Sequence, residues 1–81
     1  MKLNVYQQYG EYYYIAFQEF QNDLVIAEIL SLTLEEYKNI LFNYHACQIN
    51  KYEDYYFYYQ KDAKKAIKVL EPRVIMATLT E

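Results

Sequence analysis

Residues 2–18 read KLNVYQQYGEYYYIAFQ, and the pattern of this stretch decides the fold class. Side chains along residues 2–8 alternate in character, which is typical of a β-strand. The pair Tyr9-Gly10 can form a tight turn, because glycine tolerates a positive φ angle. Residues 11–18 are rich in tyrosine and isoleucine, which favour a second strand. The stretch therefore predicts an antiparallel β-hairpin at the start of the chain.

The segment after the hairpin predicts one more strand and a helix. Residues 21–23 are polar and indicate a turn, and residues 24–31 form an apolar run that predicts a third strand. Residues 33–36 read TLEE, a capping box in which Thr and Glu side chains satisfy each other's backbone N–H groups. The helix that it opens is expected to run from residue 34 to about 47, followed by a polar loop over residues 48–54.

The last third of the chain predicts a fourth strand and a second helix. Residues 54–60 are almost purely aromatic and strand-like, and Asp62 is the expected N-cap of the helix. Pro72 should end that helix, because the residue before a proline avoids the α region. Residues 73–80 alternate again, which predicts a fifth strand, with a short terminal helix as the alternative. The sequence thus predicts one α+β domain over residues 1–81, ordered β-β-β-α-β-α-β, with a small antiparallel sheet and two helices packed on one face.

Residue types that carry chemistry are sparse in this chain of 81 residues. His45 and Cys47 are its one histidine and one cysteine, whereas a zinc site needs three or four protein ligands. Glu53 and Asp54 are adjacent, so their side chains point apart and do not form an acid–base pair. One glycine cannot build a glycine-rich phosphate loop. We therefore expect no metal, no cofactor and no enzymatic activity.

Hydropathy and cysteine content bear on location. The longest apolar stretch, residues 24–30, is interrupted by Glu28 and is too short to span a bilayer. The first residues lack the apolar core of a secretory signal. A single cysteine forms no intramolecular disulfide, which fits a reducing compartment. These features predict a cytoplasmic protein without a membrane partner.

Tyrosine is the dominant functional signal, with 12 tyrosines in the chain. Successive residues of a strand point to opposite faces, so each tyrosine run divides between the core and the other face. We take Tyr13, Ile15 and Phe17 as inward on the second strand, and Phe57 as inward beside Tyr55 and Tyr59 on the fourth. The tyrosines predicted on the opposite, open face are Tyr6, Tyr12, Tyr14, Tyr56 and Tyr58.

An open tyrosine face indicates a binding surface, because tyrosine is enriched at protein interfaces. The alternative is that cross-strand aromatic pairs only stabilise a small sheet. Phe42 lies off the apolar stripe of its helix, so it is a further candidate for partner contact. Glu53 and Asp54 border the face, and the net charge is −3. This acidity predicts a protein partner and disfavours direct nucleic-acid binding.

Short length, acidic balance, richness in tyrosine and asparagine, and the strand-to-helix step YYQKDAKKA at residues 58–66 form a recognisable profile. In these features the chain resembles small accessory proteins of phages and other mobile elements of low-GC bacteria, such as anti-CRISPR and other anti-defence inhibitors. The resemblance implies a non-enzymatic inhibitor or accessory factor that binds a bacterial defence nuclease or another nucleic-acid-processing effector. The alternative is a self-assembling structural or regulatory homodimer.

Overall fold

The computed structural model describes residues 2–8, 10–48 and 55–80, with side chains up to residue 74. Within these residues the chain forms four short strands and three helices, which confirms the α+β class. In chain order the elements are β1 (Asn4–Gln8), β2 (Tyr12–Ala16), α1 (Asp23–Ile29), α2 (Leu34–Asn43), β3 (Cys47–Gln48), β4 (Tyr55–Tyr56) and α3 (Gln60–Thr80).

The predicted hairpin is confirmed. Strands β1 and β2 pair antiparallel, with Val5 opposite Ile15 and Tyr6 opposite Tyr14. Gly10 adopts φ +72° in the turn, a left-handed conformation that glycine takes without steric cost. This register determines which tyrosines share a face of the hairpin.

A second strand pair lies beside the hairpin. Strands β3 and β4 pair antiparallel, and Tyr13 and Phe57 form an isolated bridge through two backbone hydrogen bonds of 2.9 and 2.7 Å. The predicted fourth strand over residues 54–60 is thus shorter than expected, because the chain bends after Phe57. Strand β3 begins before the loop predicted over residues 48–54, most of which lies outside the described residues.

The prediction of a third strand over residues 24–31 is wrong, because this segment is helix α1. The Asn22 side chain caps it by accepting a hydrogen bond of 2.9 Å from the Val25 N–H. A strand would have placed Glu28 on the same face as Ile26. In the helix Ile26 is buried and Glu28 is exposed, so the helical period keeps the charge in water.

The capping box of α2 is confirmed by reciprocal hydrogen bonds of 3.0 and 3.1 Å between Thr33 and Glu36. Hydrogen bonds to the carboxylate, first from the Thr33 backbone N–H and then from the Thr33 side chain, lower the pKa of Glu36. The helix ends at Asn43, before the predicted residue 47, because His45 turns into the left-handed region at φ +70°. The N–H of Ala46 then donates to the Leu41 carbonyl at 3.0 Å, a Schellman closure.

Helix α3 begins earlier than the sequence predicts. Its first residue is Gln60, and the Tyr59 carbonyl accepts from the N–H groups of Asp62 and Ala63 at 3.1 and 3.4 Å. Asp62 is therefore a buried residue of the first turn and not the N-cap. Its negative charge still lies at the end of the helix that favours it.

Helix α3 also continues through Pro72 to Thr80, so the predicted stop and the fifth strand over residues 73–80 are wrong. The alternative of a helix there is correct in type, but these residues extend α3 and do not form a separate short helix. An internal proline costs one helical hydrogen bond. Packing beyond it offsets this cost: Val74 is buried, one turn after Leu70. The Arg73 guanidinium donates to the Leu30 carbonyl at 3.2 Å, which ties this part of α3 to the end of α1.

The core lies between the hairpin and the helices. Helix α3 packs on β1 and β2, while α1 packs against α2. The largest fully buried side chains are Tyr37, Phe57, Leu3, Ile26, Leu30, Leu41 and Leu70.

Tyr37 is the polar exception in this core. Its hydroxyl is buried and has no hydrogen-bond partner among the described residues. Burial, with the nearby Asp23 charge, raises the pKa of Tyr37 well above its usual value, so the phenol stays neutral. Tyr37→Phe removes this unpaired hydroxyl, and we expect the free energy of unfolding in urea to stay constant or rise by about 1 kcal/mol. A decrease of about 1 kcal/mol in the free energy of unfolding would show instead that the hydroxyl has a hydrogen-bond partner.

Candidate protein-binding surface

The five tyrosines predicted on the open face meet in one aromatic group, here named the tyrosine cluster. Ring centroids lie 5.4 Å apart for Tyr6 and Tyr14, and 6.2 Å apart for Tyr14 and Tyr56. Tyr12 lies 6.3 Å from Tyr56 and 5.5 Å from Tyr58. The hairpin register places Tyr6 opposite Tyr14, and the bridge beside Phe57 places β4 next to β2. Strand alternation thus accounts for four members of this cluster, Tyr6, Tyr12, Tyr14 and Tyr56, whereas Tyr58 joins them from the bend after the strand.

Burial within the cluster is graded. Tyr58 is 56% exposed, and Tyr6, Tyr12 and Tyr14 are half-buried. Tyr56 is only 4% exposed, so the expectation that it points into solvent is wrong. The rings of Tyr12 and Tyr14 cover it, and its hydroxyl donates to the Gln8 side-chain oxygen at 3.2 Å. The Tyr56 ring therefore packs beneath the exposed rings of the tyrosine cluster.

Two phenols of the cluster, those of Tyr14 and Tyr58, have a pKa raised above its usual value. Burial raises the pKa of Tyr14, and the negative charge of Glu19 adds to this rise while a backbone hydrogen bond from Phe20 opposes it. A hydrogen bond with the Cys47 side chain raises the pKa of Tyr58. Neutral hydroxyls can both donate and accept hydrogen bonds, which suits a surface that meets peptide groups.

Acidic side chains lie near the cluster. Glu11 is exposed in the hairpin turn beside Tyr12, and Glu19 is exposed and close enough to act on Tyr14. Glu53 and Asp54, the predicted acidic border, lie outside the described residues. Within the described residues, the edge of the tyrosine cluster next to β2 is therefore negatively charged.

Two further aromatic side chains lie outside the tyrosine cluster. Tyr59 is 63% exposed, because the chain leaves the strand after Phe57 and the alternation stops there. Phe42 is exposed as expected, but its ring meets Tyr55 edge-on at 5.4 Å. Among the described residues no ring contact joins Phe42 to the tyrosine cluster, so it forms a separate exposed site.

Phe20 is a surface residue that the sequence reasoning missed. Its side chain is 84% exposed, and its backbone takes φ +66°, which is costly for a bulky residue. The Gln21 side-chain oxygen holds this turn by accepting from the Phe17 N–H at 3.0 Å. Phe20 and Tyr14 line the same cleft of about 230 Å³, so Phe20 extends the aromatic surface. A phenylalanine directly before the polar run 21–23 was the signal available in the sequence.

The remaining tests of function class concern metals and membranes. In the described part of the chain, no group of three or more His, Cys, Asp or Glu side chains is placed to hold a metal ion. None of the helices, over their described residues, combines the length and apolar character needed to cross a bilayer.

Comparison of the chain with protein-family models, with curated proteins and with solved structures found no match. A functional proposal therefore rests on the geometry and chemistry of the surface itself.

Proposed function

We propose that this chain is a non-enzymatic inhibitor or accessory factor that binds another protein through the tyrosine cluster. The observation that carries the proposal is the continuous contact of five tyrosine rings, with Tyr58 56% exposed at one end. Tyrosine offers a large contact area and few rotatable bonds, so little side-chain entropy is lost on binding. Such residues dominate the energetics of many interfaces.

A basic partner surface fits this cluster best. The exposed carboxylates of Glu11 and Glu19 lie beside its rings, and the whole chain carries a net charge of −3. Complementary charge speeds association and selects among partners. Proteins that process nucleic acids carry basic surfaces, since they neutralise phosphates. The resemblance to mobile-element accessory proteins makes a bacterial defence nuclease or effector in the cytoplasm the first partner to test.

Phe20 adds support for a surface function. An aromatic ring left in water forgoes its burial free energy, and a left-handed backbone adds a cost of about 1–2 kcal/mol. Local strain of this kind is concentrated at functional sites. A partner that covers Phe20 would recover the apolar burial, so the bound surface is proposed to include the Phe20 turn as well as the cluster.

The test replaces exposed rings and leaves the core intact. The wild-type chain is used for affinity capture from a low-GC bacterial lysate, and the captured protein is then titrated by calorimetry. Tyr12→Ser with Tyr58→Ser is expected to weaken binding by about 30-fold or more, because two interface tyrosines are lost. Val69→Ser on α3 also removes an exposed apolar side chain and should leave the affinity unchanged.

Two outcomes would overturn the proposal. Equal binding by the wild-type chain and the double variant would remove the cluster from the interface. Light scattering could instead show a dimer that the double variant converts to a monomer of 9.9 kDa. In that case the cluster serves self-association, and the homodimer alternative is correct.

A further inference from the structure

A second surface lies where the end of α2 meets the start of α3, and it is here named the lysine–tyrosine groove. Its volume is about 450 Å³, within the size range of small-ligand sites. The left-handed turn at His45 forms one wall, and the first turns of α3 form the other. The groove is lined by His45, Tyr58, Tyr59, Lys61, Asp62 and Lys65.

Two exposed rings and two exposed ammonium groups converge in the groove. Lys61 and Lys65 are four residues apart on α3, so their side chains lie on the same face of the helix. The Lys61 ammonium lies 5.6 Å from the Tyr59 ring centroid, within cation–π range. Tyr59 remains 63% exposed, so most of its surface is open to a ligand.

The charge of the groove is opposite to that of the whole chain. Asp62 is the acidic lining residue, and its side chain is buried in the first turn of α3. Lys64 and Lys68 are also exposed on this half of the helix. A chain of net charge −3 thus presents a local cationic surface with tyrosine rings beside it.

We propose that the lysine–tyrosine groove binds a nucleotide, with the phosphate at Lys61 and Lys65 and the base stacked on Tyr59. Cationic side chains that neutralise phosphate and aromatic rings that stack on bases are the two components of sequence-tolerant nucleotide binding. An acidic peptide would satisfy the lysines but would leave the exposed rings unexplained. The expectation of no direct nucleic-acid contact rested on the net charge of −3 and on acids beside the tyrosine cluster, whereas Lys61 and Lys65 form a local cationic surface elsewhere.

This proposal does not rest on the proposed protein-binding function, although Tyr58 belongs to both surfaces. The test is an NMR titration of the isotope-labelled full chain at low ionic strength, with AMP, adenosine, inorganic phosphate, a glutamate octapeptide and an adenine oligonucleotide as probes. AMP is expected to shift the backbone signals of Tyr59, Lys61 and Lys65. Adenosine, phosphate and the peptide should each bind at least about fivefold more weakly, because each lacks the stacking or the phosphate contact.

The oligonucleotide identifies the source of the ligand. If the site serves a single strand, the oligonucleotide binds more tightly than AMP, and its affinity falls with salt by a log–log slope of about −0.7 per phosphate contacted. If the site serves a free nucleotide, AMP binds at least as tightly as the oligonucleotide. Both results support the nucleotide site.

Two variants and a matched control complete the experiment. Tyr59→Ser is expected to weaken AMP binding by about fivefold or more through lost stacking. Lys65→Gln should weaken it by about fivefold, whereas Lys2→Gln removes the same charge from an exposed side chain outside the groove and should have little effect. Unmoved groove signals, equal loss in the two lysine variants, or phosphate or peptide binding as tight as AMP would overturn the proposal.

Discussion

Phe57→Ala is expected to lower the free energy of unfolding by about 3–5 kcal/mol, because it opens a cavity in the centre of the core. The ring is fully buried, and the Phe57 backbone joins the two strand pairs through its hydrogen bonds with Tyr13. Small domains have only about 5–15 kcal/mol of stability, so this loss is a large part of the total. Urea unfolding followed by circular dichroism measures it.

Phe20→Ala is the matched control for this prediction. It removes the same ring, but from a side chain that is 84% exposed, so no cavity forms and the stability should change by only about 0.5 kcal/mol. Similar losses in the two variants would mean that Phe57 is not the centre of the core.

Tyr56→Ala is expected to cost about 3–5 kcal/mol as well, although Tyr56 belongs to the tyrosine cluster. Its ring is 4% exposed beneath Tyr12 and Tyr14, and its hydroxyl is bonded to Gln8. Tyr56→Phe keeps the ring and should cost only about 0.5–1.5 kcal/mol for the lost hydrogen bond. Thermal or urea unfolding of the two variants separates the contributions of ring and hydroxyl.

The comparison for Tyr56 is its exposed neighbour in the same cluster. Tyr58→Ala should cost about 1 kcal/mol or less, since Tyr58 is 56% exposed. A Tyr58 loss equal to the Tyr56 loss would contradict the graded burial of the cluster. The contrast also explains why the binding test uses Tyr12 and Tyr58: a Tyr56 variant would lose binding through unfolding alone.

Local sequence signals predicted the elements that depend on local contacts. The hairpin follows from strand alternation and one glycine in the left-handed region, and both depend on a few neighbouring residues. The capping box of α2 likewise involves Thr33 and Glu36 only. The places of Tyr6, Tyr12, Tyr14 and Tyr56 in the cluster could be predicted because alternation holds wherever a strand is regular.

The two missed elements have different causes. Residues 24–31 contain β-branched side chains that favour a strand, yet the cap at Asn22 and the exposed position of Glu28 fit a helix better, so the helix signal there is local. The continuation of α3 past Pro72 depends on Val74 in the core and on Arg73 bonded to the Leu30 carbonyl. Tertiary packing outweighs local propensity at this second place.

The candidate site was likewise predictable only in part. Alternation named the five tyrosines of the cluster, but it does not determine which ring covers which, so the burial of Tyr56 was missed. Alternation also fails where a strand ends, which left Tyr59 exposed beside Lys61. The exposed Phe20 depends on a turn conformation that no periodicity predicts.

Tyr58 touches Tyr12 in the tyrosine cluster and also lines the lysine–tyrosine groove. If both proposed ligands contact this one side chain, their binding equilibria are coupled. The coupling is reciprocal. If bound nucleotide changes the affinity for the partner protein by some factor, the bound partner protein changes the affinity for the nucleotide by the same factor. If only one ligand can cover the Tyr58 ring at a time, the nucleotide and the partner protein compete, and each weakens the binding of the other. A chain of 81 residues would then exchange one ligand for the other without any change of fold.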